Sequence, residues 1–184
     1  MSSLCTLCEA QTKMKDVFLQ MPDSLLPYLT ENNRLDFIDF LESGMNAIVT
    51  NELGGKSEMY KLEDDYLSLN LNPSTFVTMH LMPVDELVDS CNQVICAIIT
   101  FGHDIRESKV LVYSINWRPL DVSKYLDIPH EPYLATDFLK QGGFLAMKSV
   151  NGLDAEENME VGDMKDDAHW LKNVQWKPLS TKIR

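Results

Sequence analysis

Over residues 93–101 the chain is apolar on both faces that a strand would present. Ile95, Ala97 and Ile99 fall on one, Val94, Cys96 and Ile98 on the other. Successive side chains of a strand point to opposite sides, so this run has no solvent face. It belongs in the middle of a sheet covered on both sides. Any fold for this chain must supply neighbouring strands, and a layer above and below them.

The neighbours are legible around it. From Glu58 the apolar period changes to two: Leu67, Leu69 and Leu71 alternate with Ser68 and Asn70. After the turn signal Asn72-Pro73-Ser74, Val77, Met79 and Leu81 alternate with Thr78 and His80. The two segments read as a hairpin with one buried face. Residues 83–92, with Asp85, Glu86 and Asp89, read as an acidic loop, and 102–108 as a turn. The next strand is expected over 109–117, with Leu111, Tyr113, Ile115 and Trp117 on one face and Pro119 ending it. Strands 66–71, 75–81, 93–101 and 109–117 then form a meander with 93–101 central.

The N-terminal part has a helical period. Met14, Val17, Phe18, Met21, Leu25, Leu26 and Leu29 are broken into short pieces by Pro22 and Pro27, with Asp23 or Ser24 as a cap for the second. Asn32 or Asn33 is expected to cap a longer helix carrying Leu35, Ile38, Leu41 and Met45, and Gly44 to stop it. The stop is placed there because Ile48-Val49-Thr50 is β-branched. Residues 120–144 read as loops with a short helix at 136–140, 151–167 as an acidic loop, and 170–179 as a last strand. The segment Ile115-Asn116-Trp117-Arg118-Pro119-Leu120 is echoed by Val174-Gln175-Trp176-Lys177-Pro178-Leu179. The fold class expected is α+β: short N-terminal helices packed on a mainly antiparallel β-meander sheet, with an irregular acidic C-terminal part.

Compartment turns on the first ten residues, Met-Ser-Ser-Leu-Cys-Thr-Leu-Cys-Glu-Ala. They are apolar and rich in small residues, and a polar run begins at Gln11. That reads as the tail of a secretory signal peptide cut after Ala10, lacking its basic front end, followed by one domain over 11–184. The expected location is the periplasm or another exported site, and the cytoplasm if Met1 is the native start. The competing reading takes Cys5 and Cys8 as a Cys-x-x-Cys metal or redox pair in a cytosolic protein. Cys91 and Cys96, five residues apart, would stand about 16 Å from each other in one strand, beyond disulfide reach. A loop around Asn92-Gln93 would bring them together, but they read as two small buried thiols.

Charge narrows the partners. With 28 Asp+Glu against 16 Lys+Arg, the net charge is −12. Such a surface repels nucleic-acid phosphates, and no basic cluster with interleaved aromatics compensates. No apolar run approaches the ~20 residues that span a bilayer.

Three stretches carry a resemblance. They are Gln20-Met21-Pro22-Asp23-Ser24-Leu25-Leu26-Pro27-Tyr28-Leu29 running into Asn33-Arg34-Leu35-Asp36, then Leu53-Gly54-Gly55-Lys56-Ser57, and the strand from Glu107-Ser108 to Trp117. Over residues 11–120 the chain resembles an uncharacterised family of small exported bacterial proteins, a domain-of-unknown-function family. The resemblance implies an exported envelope protein and brings no catalytic residues. The short N-terminus without a basic front end departs from the family pattern.

Motifs for specific chemistry are weak. Zinc at Cys5 and Cys8 would need two further ligands, and His80, His103, His130 and His169 have no partner at ligand spacing. Asp154-x-Glu156-x-Asn158-x-Glu160 imitates a calcium loop, but Met159 stands at its sixth position and Lys165 at its twelfth. Gly54-Gly55-Lys56-Ser57 mimics the end of a P-loop whose first glycine is replaced by Thr50. Asp64 and Asp65 are adjacent, and would point apart in a strand. No catalytic, metal-binding or cofactor-binding residue is assigned, and no cofactor is expected. The surface offered for a ligand or partner is Trp117, Trp176, Tyr113, His103 and Arg106. The expected function is a non-enzymatic binding or interaction module of the bacterial envelope, with an unknown protein or small-molecule ligand. The alternatives are an envelope hydrolase whose site is assembled from distant residues, and the cytosolic Cys-x-x-Cys protein.

Overall fold

The computed structural model describes residues 12–139, 144–149 and 172–175, with side chains over 12–135. The chain enters through α1 (Met14–Leu19) and a 3-10 turn (Asp23–Leu25), and continues into α2 (Glu31–Glu42). Pro22 separates the first two pieces and is itself the residue before the 3-10 turn; neither Asp23 nor Ser24 caps it through a side chain. The cap of α2 is Thr30, not Asn32 or Asn33. Its hydroxyl accepts from Asn33 N–H while the Asn33 amide oxygen accepts from Thr30 N–H, a reciprocal box that satisfies two orphan donors. Asn33 thus stands three residues inside the cap. Gly44, at φ +69°, follows the C-cap Ser43 and stops the helix where expected.

Seven strands follow in one antiparallel meander, ordered as in the sequence. They are β1 (Ala47–Thr50), β2 (Lys56–Leu62), β3 (Tyr66–Asn72), β4 (Thr75–Val88), β5 (Cys91–Phe101), β6 (Glu107–Ser114) and β7 (Pro119–Leu120). The doubly apolar run is β5, an interior strand between β4 and β6. A second, three-stranded antiparallel sheet consists of β8 (Tyr133–Leu139), β9 (Phe144–Ser149) and β10 (Lys172–Gln175), with β9 in the middle.

Both layers required by β5 are present. On the inner face, Ile95 and Ala97 join Leu67, Leu69, Leu71, Val77, Met79 and Leu81 beneath Met14, Phe18, Leu29 and Phe37 of the helical segment. On the outer face, Val94, Cys96 and Ile98 pack with Val110, Val112, Tyr125, Leu126, Tyr133 and Ala135. β8 is pinned there: Ala135 N–H donates to Ser108 Oγ at 2.9 Å, and Val110 N–H to the Tyr133 hydroxyl at 3.4 Å.

Four expectations need correction. The acidic loop over 83–92 is mostly strand, because β4 runs on to Val88. Pro83 is tolerated because β4 has by then passed the end of β3, which starts at Tyr66 opposite His80. The reversal shrinks to Asp89-Ser90, both at positive φ, as two-residue hairpins require. The strand expected over 109–117 ends at Ser114, and Trp117 sits in a tight turn at φ +62° instead of in line with Leu111 and Tyr113. The short helix expected at 136–140 is strand to Leu139. Cys91 is only partly buried, whereas Cys96 is buried, and the two are not joined by a disulfide. Cys5, Cys8, the acidic stretch 151–167 and Trp176 lie outside the described residues, as does most of the second copy of the Trp-x-Pro-Leu echo. Residues 172–175 of the expected last strand are β10.

Candidate functional site

The strands that bury Leu67, Leu69, Leu71, Val77 and Met79 on the inner face carry a different set of residues on the outer face. Cross-strand partners there are Asn70 with Phe76, Ser68 with Thr78, and Tyr66 with His80. β2 adds to this face through a β-bulge. Met59 pairs with Leu69 and Lys61 with Ser68, so Tyr60 has no partner of its own. An extra residue bends the strand and re-aims its side chains. Here it places Tyr60 and Lys61 on the same side. The Tyr60 ring lies 6.3 Å from Phe76, and the Lys61 ammonium 5.4 Å from the centre of the Tyr66 ring. The Tyr66 and His80 rings are 4.6 Å apart.

The result is a strip with an aromatic pair at each end, about 13 Å apart along the strands. The buried hydroxyls of Ser68 and Thr78 lie between them. Tyr60, Tyr66, Phe76 and His80 belong to neither core cluster among the described residues. Tyr60 is 50% exposed, and its hydroxyl is nevertheless fixed. It accepts from Asn70 Nδ2 at 2.7 Å. Partial burial and then Glu58 raise the phenol above its ordinary value, against a smaller opposing effect of Asn70, so it is neutral at physiological pH. Lys61 also pairs with Glu63 at 2.8 Å. A half-exposed ring whose hydroxyl is held by Asn70 is preorganised: part of its side-chain freedom is already spent before anything stacks on it. The arrangement is suited to holding a ligand by stacking and neutral hydrogen bonds. Among the described residues, no group of three or more His, Cys, Asp or Glu is placed to hold a metal ion.

Residues 7–161 match the family described as "Protein of unknown function (DUF3256)". The chain belongs to this family. The stretches that carry the resemblance, 20–36, 53–57 and 107–117, fall inside the DUF3256 match. A domain of an uncharacterized protein from Porphyromonas gingivalis W83 has a similar structure, with a TM-score of 0.62 and 19% identity, covering 89% of this chain and 95% of that one. At that identity the likeness speaks for the fold alone. No curated protein matches the sequence.

In this DUF3256 chain, of the residues singled out from sequence, Trp117 and Tyr113 lie together and His103 and Arg106 lie in another part of the sheet, while Trp176 is outside the described residues. Trp117 is 6% exposed, part of the inner core; its indole N–H donates to the Val17 carbonyl at 2.9 Å, and its ring lies 5.6 Å from that of Tyr113. The pair braces α1 against the end of β6, so Trp117 offers packing where a ligand surface was expected. His103 and Arg106 are exposed in the β5–β6 turn, with His103 Nδ1 2.8 Å from Asp104 Oδ1. From Arg106 to Tyr113 is about 23 Å of extended chain, so the two groups sit at opposite ends of β6. Asp64 and Asp65 are both exposed in the β2–β3 turn, where Asp64 pairs with Lys13 at 3.2 Å.

Sequence reading passed over Tyr60, Tyr66, Asn70 and Phe76. The alternation that identified the leucine face also places Tyr66, Asn70 and Phe76 together on the other. Nothing local announces the bulge that brings Tyr60 to them.

Proposed function

We propose that this chain is a non-enzymatic binding module of the bacterial envelope, and that its binding surface is the outer face of β2–β4. The observation that carries the reading is the preorganised Tyr60. A large ring is left half exposed while Asn70 holds its hydroxyl. The envelope location is supported by the signal-like composition of the first ten residues and by the acidic charge.

Each half has its own test. The gene is expressed with its upstream DNA in its own host, and the protein is recovered by cell fractionation and weighed intact. The proposal expects an envelope fraction and a mature N-terminus at Gln11. A cytoplasmic chain that keeps Met1 would overturn the location. For the binding half, a photoreactive amino acid at position 60 is expected to give a discrete adduct in cells, whereas one at Asp36, exposed on α2, gives none. Equal labelling at the two positions would overturn the binding face.

A further inference from the structure

We propose that the Tyr60–Asn70–Phe76 end of the strip binds a neutral oligosaccharide, an inference that rests on the outer face being a binding surface. The chemistry present there selects this class of partner. The faces of pyranose rings carry axial C–H groups that stack on aromatic rings, and their edges carry vicinal hydroxyls. Tyr60 and Phe76, tilted 40° to each other, supply the rings. Asn70 and Glu58, a cross-strand pair beside them, supply an amide and a carboxylate that can donate to and accept from sugar hydroxyls.

Charge argues against the other occupants. The local charges, Glu58 and Lys61, are of opposite sign, and Lys61 is itself paired with Glu63. The strip therefore has no excess positive charge to attract an acidic glycan, a phospholipid headgroup or a nucleic acid, and the chain as a whole carries −12. A protein partner would be expected to cover a contiguous apolar centre. Here the two rings stand beside the partly exposed polar side chains of Asn70 and Glu58, which suits a ligand that is polar at its edges and apolar on its faces.

The test titrates the full chain with chitohexaose, cellohexaose and maltohexaose, and with polygalacturonate as the anionic control, following backbone and ring resonances by NMR. At least one neutral hexasaccharide is expected to bind saturably, with shifts centred on Tyr60, Asn70 and Phe76, while polygalacturonate does not bind. Tyr60→Ala and Phe76→Ala should each weaken binding about tenfold, the equivalent of ~1.4 kcal/mol. Tyr60→Phe, which keeps the ring and loses the hydroxyl, should weaken it only a few-fold. A folded Tyr60→Ala protein that binds as well as the parent would overturn the proposal, and so would preference for polygalacturonate. If no hexasaccharide binds while the photoreactive residue at position 60 captures a protein, the sugar inference fails and the binding face stands. If neither occurs, both fail.

Discussion

The two faces of β3 and β4 are made by alternate residues of the same few strands, yet they carry different chemistry. On the inner face Leu67, Leu69, Leu71, Val77, Met79 and Leu81 are almost completely buried beneath α1 and α2. On the outer face the intervening positions are Tyr66, Ser68, Asn70, Phe76, Thr78 and His80; Ser68 and Thr78 are buried there too, and the other four are partly exposed. Strand register allows this economy, because a two-residue period separates the faces completely. Stability can therefore be altered on one face without touching the chemistry of the other, and the reverse.

The largest effect is expected in the inner layer. Leu69→Ala removes a fully buried side chain and should lower unfolding free energy by about 2–5 kcal/mol in urea titration. A loss below about 1 kcal/mol would erase the distinction between the faces. The helical layer has a polar fastener of its own. Arg34, 2% exposed, donates to the Met21 carbonyl at 2.7 Å, to the Leu29 carbonyl at 3.0 Å and to Asp23 at 2.8 Å. Arg34→Met fills much of the same space but leaves those buried carbonyls without their donor. The expected loss is about 2 kcal/mol, read in the same titration. Trp117→Phe keeps most of the packing and removes only the bond to Val17, for a loss of about 1 kcal/mol. Faster hydrogen exchange should then be confined to α1.

The smallest effect concerns the exposed turns. Arg118, bonded to Asp89 at 2.7 Å, and secondarily Ser114, hold the Asp89 carboxyl below the usual carboxylate range. A lowered folded value favours the folded state at pH above the unfolded value, about 4, and the benefit fades as pH falls through the folded value. Asp89→Asn should therefore lower the neutral plateau slightly and make the acid limb shallower, the two proteins converging at low pH. A change at neutral pH larger than that of Trp117→Phe would mean that this turn, and not the buried layer, governs stability.

Legibility in the sequence followed the range of the physics involved. β5 was readable because a doubly apolar run has only one home in a sheet, and the leucine face of β3 because alternation is local. Gly44 was readable as a stop for the same reason. The extension of β4 to Val88 was hidden by Pro83, Asp85 and Glu86, whose cost in a strand vanishes once β3 has ended beside it. Trp117 looked like a strand residue because apolar alternation continues through it; the turn at positive φ is set by its tertiary contact with Val17. The candidate site was half legible. Tyr66, Asn70 and Phe76 follow from the leucine register, but the bulge at Tyr60 depends on pairing with a strand that the sequence does not align for the reader. Family membership was carried by short stretches such as 20–36, whose prolines and polar residues set the helical entry.

The central claim is that Tyr60, Asn70 and Phe76 on the outer face of β2–β4 serve a ligand and that the inner-face side chains serve the fold. Its most direct test is the urea unfolding free energy of Tyr60→Ala set beside that of Leu69→Ala. The account predicts that Tyr60→Ala stays within about 1 kcal/mol of the parent, as expected for a half-exposed cross-strand pair. A loss of about 3 kcal/mol or more, comparable with a core truncation, would place Tyr60 among the residues that hold the fold together and contradict the account.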